Sequence, residues 1–553
     1  MKITLPHPHD RRLWAAIFLM MAIAYVAFLG VRPLATPSEG RYAEIPREMV
    51  ASGEWMTPRL NGLIYIEKPP LYYWAAAGSI SIFGNSVAAL RLVPALFALW
   101  ACFICYRVTN NIYDRKTARM AALILGSSAL FFTMSRSLLT DMVFSSCVTT
   151  AILLFLQMRT IKNKRHFLYL YAAISAFIAA AVLSKGLIGI VIPGFVIGAW
   201  CIISREWHLV FNRYLPIGIA VLLAIAAPWH IWMANHYPQF LDFYFVREHF
   251  TRYLTDEHHR YQPFWFFVPV AFFGMMPWFG FLPQTIRHAY GNWNWKKPSA
   301  DMFMVLWIIL PLLFFSASHS KLVPYIIPII PPMAILIARY WSSAVGDKYT
   351  GILACAAIMT FLAITAFAAS AFPAIGGKNY AELLTAASPA LFTLAAIAGI
   401  GAIMAFLWRR HSDWAMIAIA IGAIGTFLAA DNAAGQLDRK SIKPLAEAIL
   451  PQLQGGGKKV ASYYFYPQDL PYYIGQTIII VGWIGELEFA TTAQDTSHTL
   501  IDDAQFWQDW KNRRIDFVFM PKSAYDQLDD AKKQLLLPWV FDSNVIVAQN
   551  RTK

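Results

Sequence analysis

Residues Thr350 to Phe372 read TGILACAAIMTFLAITAFAASAF, 23 residues without one charged side chain. A helix rises about 1.5 Å per residue, so a run of this length crosses a hydrocarbon core roughly 30 Å thick. Comparable runs recur on both sides of it, near 13–31, 87–106, 119–135, 142–157, 167–183, 186–203, 214–233, 264–282, 302–317, 323–341, 389–408 and 414–430. About 13 transmembrane helices are therefore expected. Composition agrees: of 553 residues, 58% are hydrophobic and 14% charged, whereas soluble domains carry about a quarter charged residues. The fold class is a polytopic α-helical membrane protein.

The net charge of +14 comes from 46 basic and 32 acidic residues. The basic residues are scattered through short loops, which points to membrane lipids as partners and to no nucleic acid. With a cytoplasmic N-terminus, the loops holding Arg115, Lys116 and Arg119; Lys162, Lys164 and Arg165; Arg205; Arg287, Lys296 and Lys297; and Arg409 and Arg410 all fall inside. That arrangement obeys the positive-inside rule. His7, His9, Arg11 and Arg12 precede an apolar run too long for a signal h-region, so a retained first span is expected. The segment Leu71 to Phe83, LYYWAAAGSISIF, follows Pro69-Pro70 and is too short to cross. It reads as an interfacial helix on the outer surface. The five cysteines, Cys102, Cys105, Cys147, Cys201 and Cys355, lie inside apolar runs. They support neither a disulfide framework nor a cysteine zinc site.

Two domains follow: residues 1–430 in the membrane with outer loops at 33–70 and 234–262, and a soluble α/β domain at 431–553. In the latter, 458–466, 477–482, 516–520 and a final stretch at 539–548 read as strands, and 441–453, 503–513 and 523–535 as helices. An odd number of spans places this domain outside. Gly455-Gly456-Gly457 reads as a turn or linker.

The residues able to carry chemistry gather in the outer loops. The first loop holds Ser38-Glu39-Gly40-Arg41-Tyr42-Ala43-Glu44, then Arg47-Glu48, then Tyr65-Ile66-Glu67-Lys68-Pro69-Pro70. For Glu44, Arg47 and Glu48 the simpler reading is a solvated helix face with i,i+3 and i,i+4 pairs. Glu39, Arg41, Glu67 and Lys68 stand beside proline or glycine at the mouth of a span and read as functional. The second loop brings Arg247, Glu248, His249, Arg252 and Arg260 among many aromatics. The aromatics read as interfacial anchors, and the arginines as clamps for an anionic substrate. Two short outer turns add Asp141, equally explained by the positive end of its helix dipole, and Lys321 with Tyr325. Lys185 reads as a snorkelling cation.

The first-loop sequence Ser38–Glu44, Arg47-Glu48-Met49, Trp55 and Glu67-Lys68-Pro69-Pro70-Leu71-Tyr72-Tyr73-Trp74 resembles the signature of bacterial transferases related to protein O-mannosyltransferases. Within that group the chain is similar to the 4-amino-4-deoxy-L-arabinose transferases that modify lipid A, and the likeness runs through Asp141, Arg260 and Lys321 to Tyr325. The resemblance implies the GT-C fold and an inverting transferase facing the periplasm of the bacterial inner membrane. It further implies an undecaprenyl phosphate sugar donor, a lipid A phosphate acceptor and resistance to polymyxin. A monomer is expected. The resemblance places Arg41, Lys68 and Tyr325 at the carrier phosphate, with Lys321 nearby. Tyr65, Glu67, Arg247, Glu248, His249, Arg252 and Arg260 then line the substrate cavity. Glu39 and Asp141 are left as catalytic candidates that orient the acceptor or bind the sugar amine. Glu67 and His249 suggest a divalent cation such as zinc, although two ligands are few for one.

One position departs from the pattern, since Ser38 stands where the family usually has an aspartate as candidate base. A hydroxyl acceptor needs such a base, whereas a phosphate is already anionic. Two alternatives stay open: transfer of another sugar or to a protein or glycan acceptor, and a lipid or sugar transporter. A transporter calls for ionisable residues along a mid-membrane pathway. Here the charges gather at the outer ends.

Overall fold

A computed structural model describes residues 10–161, 163–251, 261–291, 293–343, 347–438, 441–453, 455–541 and 544–551. The chain forms two compact units. One comprises Met1–Arg32, Arg91–Ile231 and Phe245–Leu437, and the other Pro33–Leu90, Trp232–Tyr244 and Asp438–Lys553.

The first unit is a helical membrane bundle. Among the described residues 9 helices are long and apolar enough to cross a bilayer, from Val87–Ile112 to Ser412–Leu437. A pair bent by 100°, Phe264–Gly274 with Trp278–Gly291, raises the count to as many as 10. Pro277 lies in the break, where a residue without an N–H cannot continue the hydrogen-bond ladder. The other expected spans fall on shorter helices: α1, Arg11–Val26, with 16 residues; Ile188–Ser204, with 17; and Arg115–Gly126 followed by Ala129–Met134. Between the last two, the Ser128 hydroxyl donates to the Ile124 carbonyl at 2.7 Å, a side-chain bond that competes with the helix ladder. Outward side chains such as Phe361 and Ile364 are 66% and 62% exposed, as lipid-facing positions require. All five cysteines are buried free thiols.

Buried arginines finish the end of α1. Helix ends leave carbonyls unsatisfied. Arg136 donates to Ala27 O at 2.9 Å, and Arg91 to Leu29 O at 2.9 Å and Arg32 O at 2.7 Å. Asp431 joins the group by pairing with Arg136 at 3.0 Å and Arg32 at 2.9 Å.

The second unit combines the first long loop with the C-terminal sheet. Helix α2, Ser38–Ser52, is closed by Gly53 in the left-handed region (φ 73°), whose N–H reaches Met49 O. A hairpin follows, β1 (Arg59–Leu60) and β2 (Leu63–Ile64), turned by Asn61 and Gly62 with φ of 57° and 76°. This is the Asn-Gly chemistry that two-residue hairpin turns favour. Helix α3 spans Leu71–Phe83, the bounds expected of the interfacial segment. The sheet contains β3 (Val460–Tyr463), β4 (Ile479–Val481), β5 (Leu500–Ile501), β6 (Phe517–Pro521), β7 (Leu536–Phe541) and β8 (Val545–Asn550), in the order β5-β4-β3-β6-β8-β7. Strands β5, β4, β3 and β6 are parallel, and β8 joins β6 and β7 antiparallel. The expected helix at 523–535 is two short ones, Lys522–Asp526 and Asp530–Gln534, and the glycines 455–457 all take positive φ.

Two contacts bind loop to sheet. The Asn61 amide donates to Ile478 O at 2.8 Å and accepts from Ile478 N at 2.7 Å, so it serves as a strand neighbour beside β4. Gly40 lies so close to the next element that a Cβ would stand 2.4 Å from Asp469 N. We expect Gly40→Ala to destabilise this unit by about 1–3 kcal/mol through overpacking. Thermal unfolding of the purified full-length protein checks this, and an unchanged midpoint refutes it.

Candidate active site

Arg41 lies on the second turn of α2 and is almost completely buried. Its Nη1 donates to Tyr65 Oη at 2.8 Å and pairs with Glu486 at 2.8 Å and Glu67 at 3.7 Å. Burial opposes the charge of Arg41, yet Tyr65, Glu486 and Glu67 outweigh it and raise the guanidinium pKa well above its ordinary value. Tyr65 in turn donates to Glu67 at 2.8 Å, and Lys68 Nζ donates to Glu67 O at 2.9 Å. The expected residues Arg41, Tyr65, Glu67 and Lys68 are thus brought together. Glu486, absent from the sequence reading, joins them from the loop after β4. Its distance along the chain leaves no local signal that points to it.

Glu39 is 3% exposed and accepts the Ala35 N–H at 2.8 Å, from the segment leading into its helix. Deeper on α2, Glu44 and Glu48 are buried, not solvated as expected. Arg47 holds Glu44 with bonds of 2.7 and 2.6 Å, while Glu48 accepts Gly62 N–H at 2.9 Å. The i,i+3 pair exists, but the C-terminal segment supplies a wall over it, with Arg47 also reaching Gly475 O at 3.2 Å.

In the membrane unit, Asp141 stands in the first turn of the helix Thr140–Met158 and is ion-paired with Lys185. Lys185 does not snorkel to solvent: its ammonium lies over the Tyr325 ring, 4.2 Å from the centroid. Lys321 is buried and donates to Gln262 O at 2.9 Å and to Ser318 O. Arg247 is half-buried and Glu248 buried on the helix Asp242–Thr251. The His249 side chain, Arg252 and Arg260 lie outside the described residues. Glu67 Oε2 is already engaged by Tyr65 and Arg41. Among the described residues no three His, Cys, Asp or Glu side chains group as metal ligands.

The multi-pass bundle followed by a C-terminal sheet domain has the GT-C fold of membrane glycosyltransferases. Residues 67–232 match the family model for dolichyl-phosphate-mannose-protein mannosyltransferase, and residues 445–547 the aminoarabinose transferase C-terminal domain. Within that class the fold is ArnT-like. It superposes on the crystal structure of ArnT from Cupriavidus metallidurans bound to undecaprenyl phosphate with a TM-score of 0.89 at 24% identity, covering 98% of this chain and 99% of that one. In sequence the chain is 26% identical over 512 residues to the undecaprenyl phosphate-alpha-4-amino-4-deoxy-L-arabinose arabinosyl transferase of Edwardsiella ictaluri (strain 93-146), covering 89% of this chain and 90% of that relative. It is 33% identical over 332 residues, 60% of each chain, to arabinosyl transferase 1 of the same description from Proteus mirabilis (strain HI4320).

The buried carboxyls give the second unit a distinctive pH response. Burial lifts Asp469 from an ordinary 3.8 to about 7, and it raises Glu44 and Glu48 as well. The native state therefore holds these protons more tightly than the unfolded chain. Their contribution to stability is complete below the ordinary carboxyl range and falls as pH rises from about 4 through about 7. For Asp469 the loss is on the order of a few kcal/mol. Unfolding midpoints across this window should decline with pH in wild type and decline less in Asp469→Asn. Equal slopes in the two proteins would refute the assignment.

Proposed function

We propose that the protein transfers 4-amino-4-deoxy-L-arabinose from undecaprenyl phosphate to a phosphate group of lipid A, on the periplasmic face of a bacterial inner membrane. The observation that carries this reading is the near full-length similarity to arabinosyl transferases of that description. The buried Arg41 centre supplies matching chemistry. An oxygen of the acceptor phosphate attacks the anomeric carbon, the bond from that carbon to the carrier phosphate oxygen breaks, and the configuration inverts. The departing phosphate gains negative charge as the bond breaks, and a fixed guanidinium in a desolvated site stabilises that charge without reorganising. Lys68, adjacent to Glu67, is assigned to the same phosphate. Tyr325 and Lys321 are assigned to the carrier on the family resemblance alone.

Arg41→Lys removes the planar fork while keeping the charge, and Lys68→Ala removes an ammonium. Each should lower lipid A modification about tenfold to hundredfold with membrane insertion intact. Mass spectrometry of lipid A from cells carrying each variant measures this, and near-normal modification by a correctly inserted Lys68→Ala protein refutes its role. For orientation, a reporter that is active only after export, fused after Lys553, should be active. Cytoplasmic labelling of a cysteine introduced at Asp502 would place the sheet on the other side.

A further inference from the structure

We propose that Glu486, supplied by the C-terminal sheet, binds the ammonium group of the sugar being transferred and so selects an aminosugar donor. The inference rests on the functional reading above and adds a specificity-determining residue to it. Strand order places Glu486 one strand from the switch between β3 and β6, beside Gln468. The parallel strands run β5-β4-β3-β6, so the chain reverses its direction of growth at β3, and open α/β sheets take ligands at the carboxyl ends of strands beside such a point. The loop after β3 carries Gln468, and the loop after β4 carries Glu486.

Charge then selects the kind of ligand. The single positive charge of Arg41 faces two carboxylates, Glu486 at 2.8 Å and Glu67 at 3.7 Å. With Lys68 beside Glu67 the cations and carboxylates balance, and a phosphate carrying only negative charge would leave the site net negative. A donor headgroup with a phosphate and an ammonium is a zwitterion, and it satisfies both signs: phosphate toward Arg41, ammonium toward a carboxylate. Of the carboxylates named above, Glu39 accepts the Ala35 N–H, Asp141 is paired with Lys185, and Glu67 Oε2 takes the Tyr65 hydroxyl. Glu486 differs. Its Oε2 receives both Arg41 and the Gln468 amide, the latter at 2.6 Å, while among the described residues no donor engages Oε1 and the side chain is 28% exposed. It is held in place by one oxygen and available through the other.

The test compares two donors on the full-length protein in lipid nanodiscs: undecaprenyl phosphate carrying the free aminosugar, and the same lipid with that nitrogen formylated and hence uncharged. Glu486→Gln keeps the shape and the neutral hydrogen bonds but loses the charge. We expect kcat/KM for the free-amine donor to fall about tenfold to hundredfold further than for the formylated one, and Glu486→Asp to retain most of the preference. An equal fall for both donors means that Glu486 only positions Arg41, and overturns the proposal. Tighter binding of sugar-free undecaprenyl phosphate with unchanged preference means that Glu486 only competes for Arg41, and also overturns it. If Glu486→Gln does not fold, an undiminished free-amine preference in Glu486→Ser overturns it instead. A wild-type protein that transfers neither sugar to lipid A refutes the functional reading itself, which separates that failure from this one.

Discussion

A guanidinium removed from water needs acceptors, and Arg41 finds those of its Nη1 by drawing on two other stretches of chain. Tyr65 and Glu67 come from the end of the first loop and Glu486 from the C-terminal sheet. An uncompensated buried charge costs several kcal/mol. Loop and sheet therefore depend on each other, and the other contacts of the second unit make sense as parts of that dependence. Gly40 admits the backbone of Asp469 beside the arginine, and Asn61 fastens the hairpin to the segment entering β4. The compact unit accordingly collects 33–90 and 438–553, across the linear boundary near residue 430 that composition alone suggests.

The membrane unit answers the same physics differently. Within hydrocarbon no water is present to satisfy a backbone carbonyl, so the end of α1 has to be finished by protein. Arg91 and Arg136 do so, and Asp431 balances Arg136 and Arg32 near the end of the last long helix. The Asp141–Lys185 pair follows the same rule: each ion has a partner, and the ammonium gains a ring face. These charges are either paired or held by carbonyls, an arrangement suited to fixed electrostatics.

How much of this is legible in the sequence depends on the range of the signal. Hydropathy runs report each residue's preference for lipid, and they locate the long helices, the segment Leu71–Phe83 and the strands near 460, 480 and 518. Motif resemblance identifies Arg41, Tyr65, Glu67 and Lys68 because these lie within one short loop. It says nothing of Glu486, whose meeting with Arg41 exists only after the sheet has formed. The burial of Glu44 and Glu48 escapes for a related reason. Helical spacing shows that Glu44 and Arg47 pair, but whether a pair faces water or protein depends on what packs over it. Lys185 reads as a snorkelling lysine until the fold puts Asp141 beside it.

The start of α2 bears on the acceptor. Where the family resemblance implies an aspartate, this chain has Ser38, and the next residue, Glu39, is engaged by the Ala35 N–H at 2.8 Å. A serine hydroxyl is no general base, and a carboxylate already engaged by a backbone N–H is poorly placed to deprotonate an alcohol acceptor. A phosphate acceptor imposes no such demand, because it arrives as an anion with a nucleophilic oxygen already exposed. What remains is to bring two anionic phosphates to one sugar carbon, and that is a problem of placing cations. Under the proposed function, buried Arg41 is a fixed cation of the kind this requires, and no base is called for at position 38.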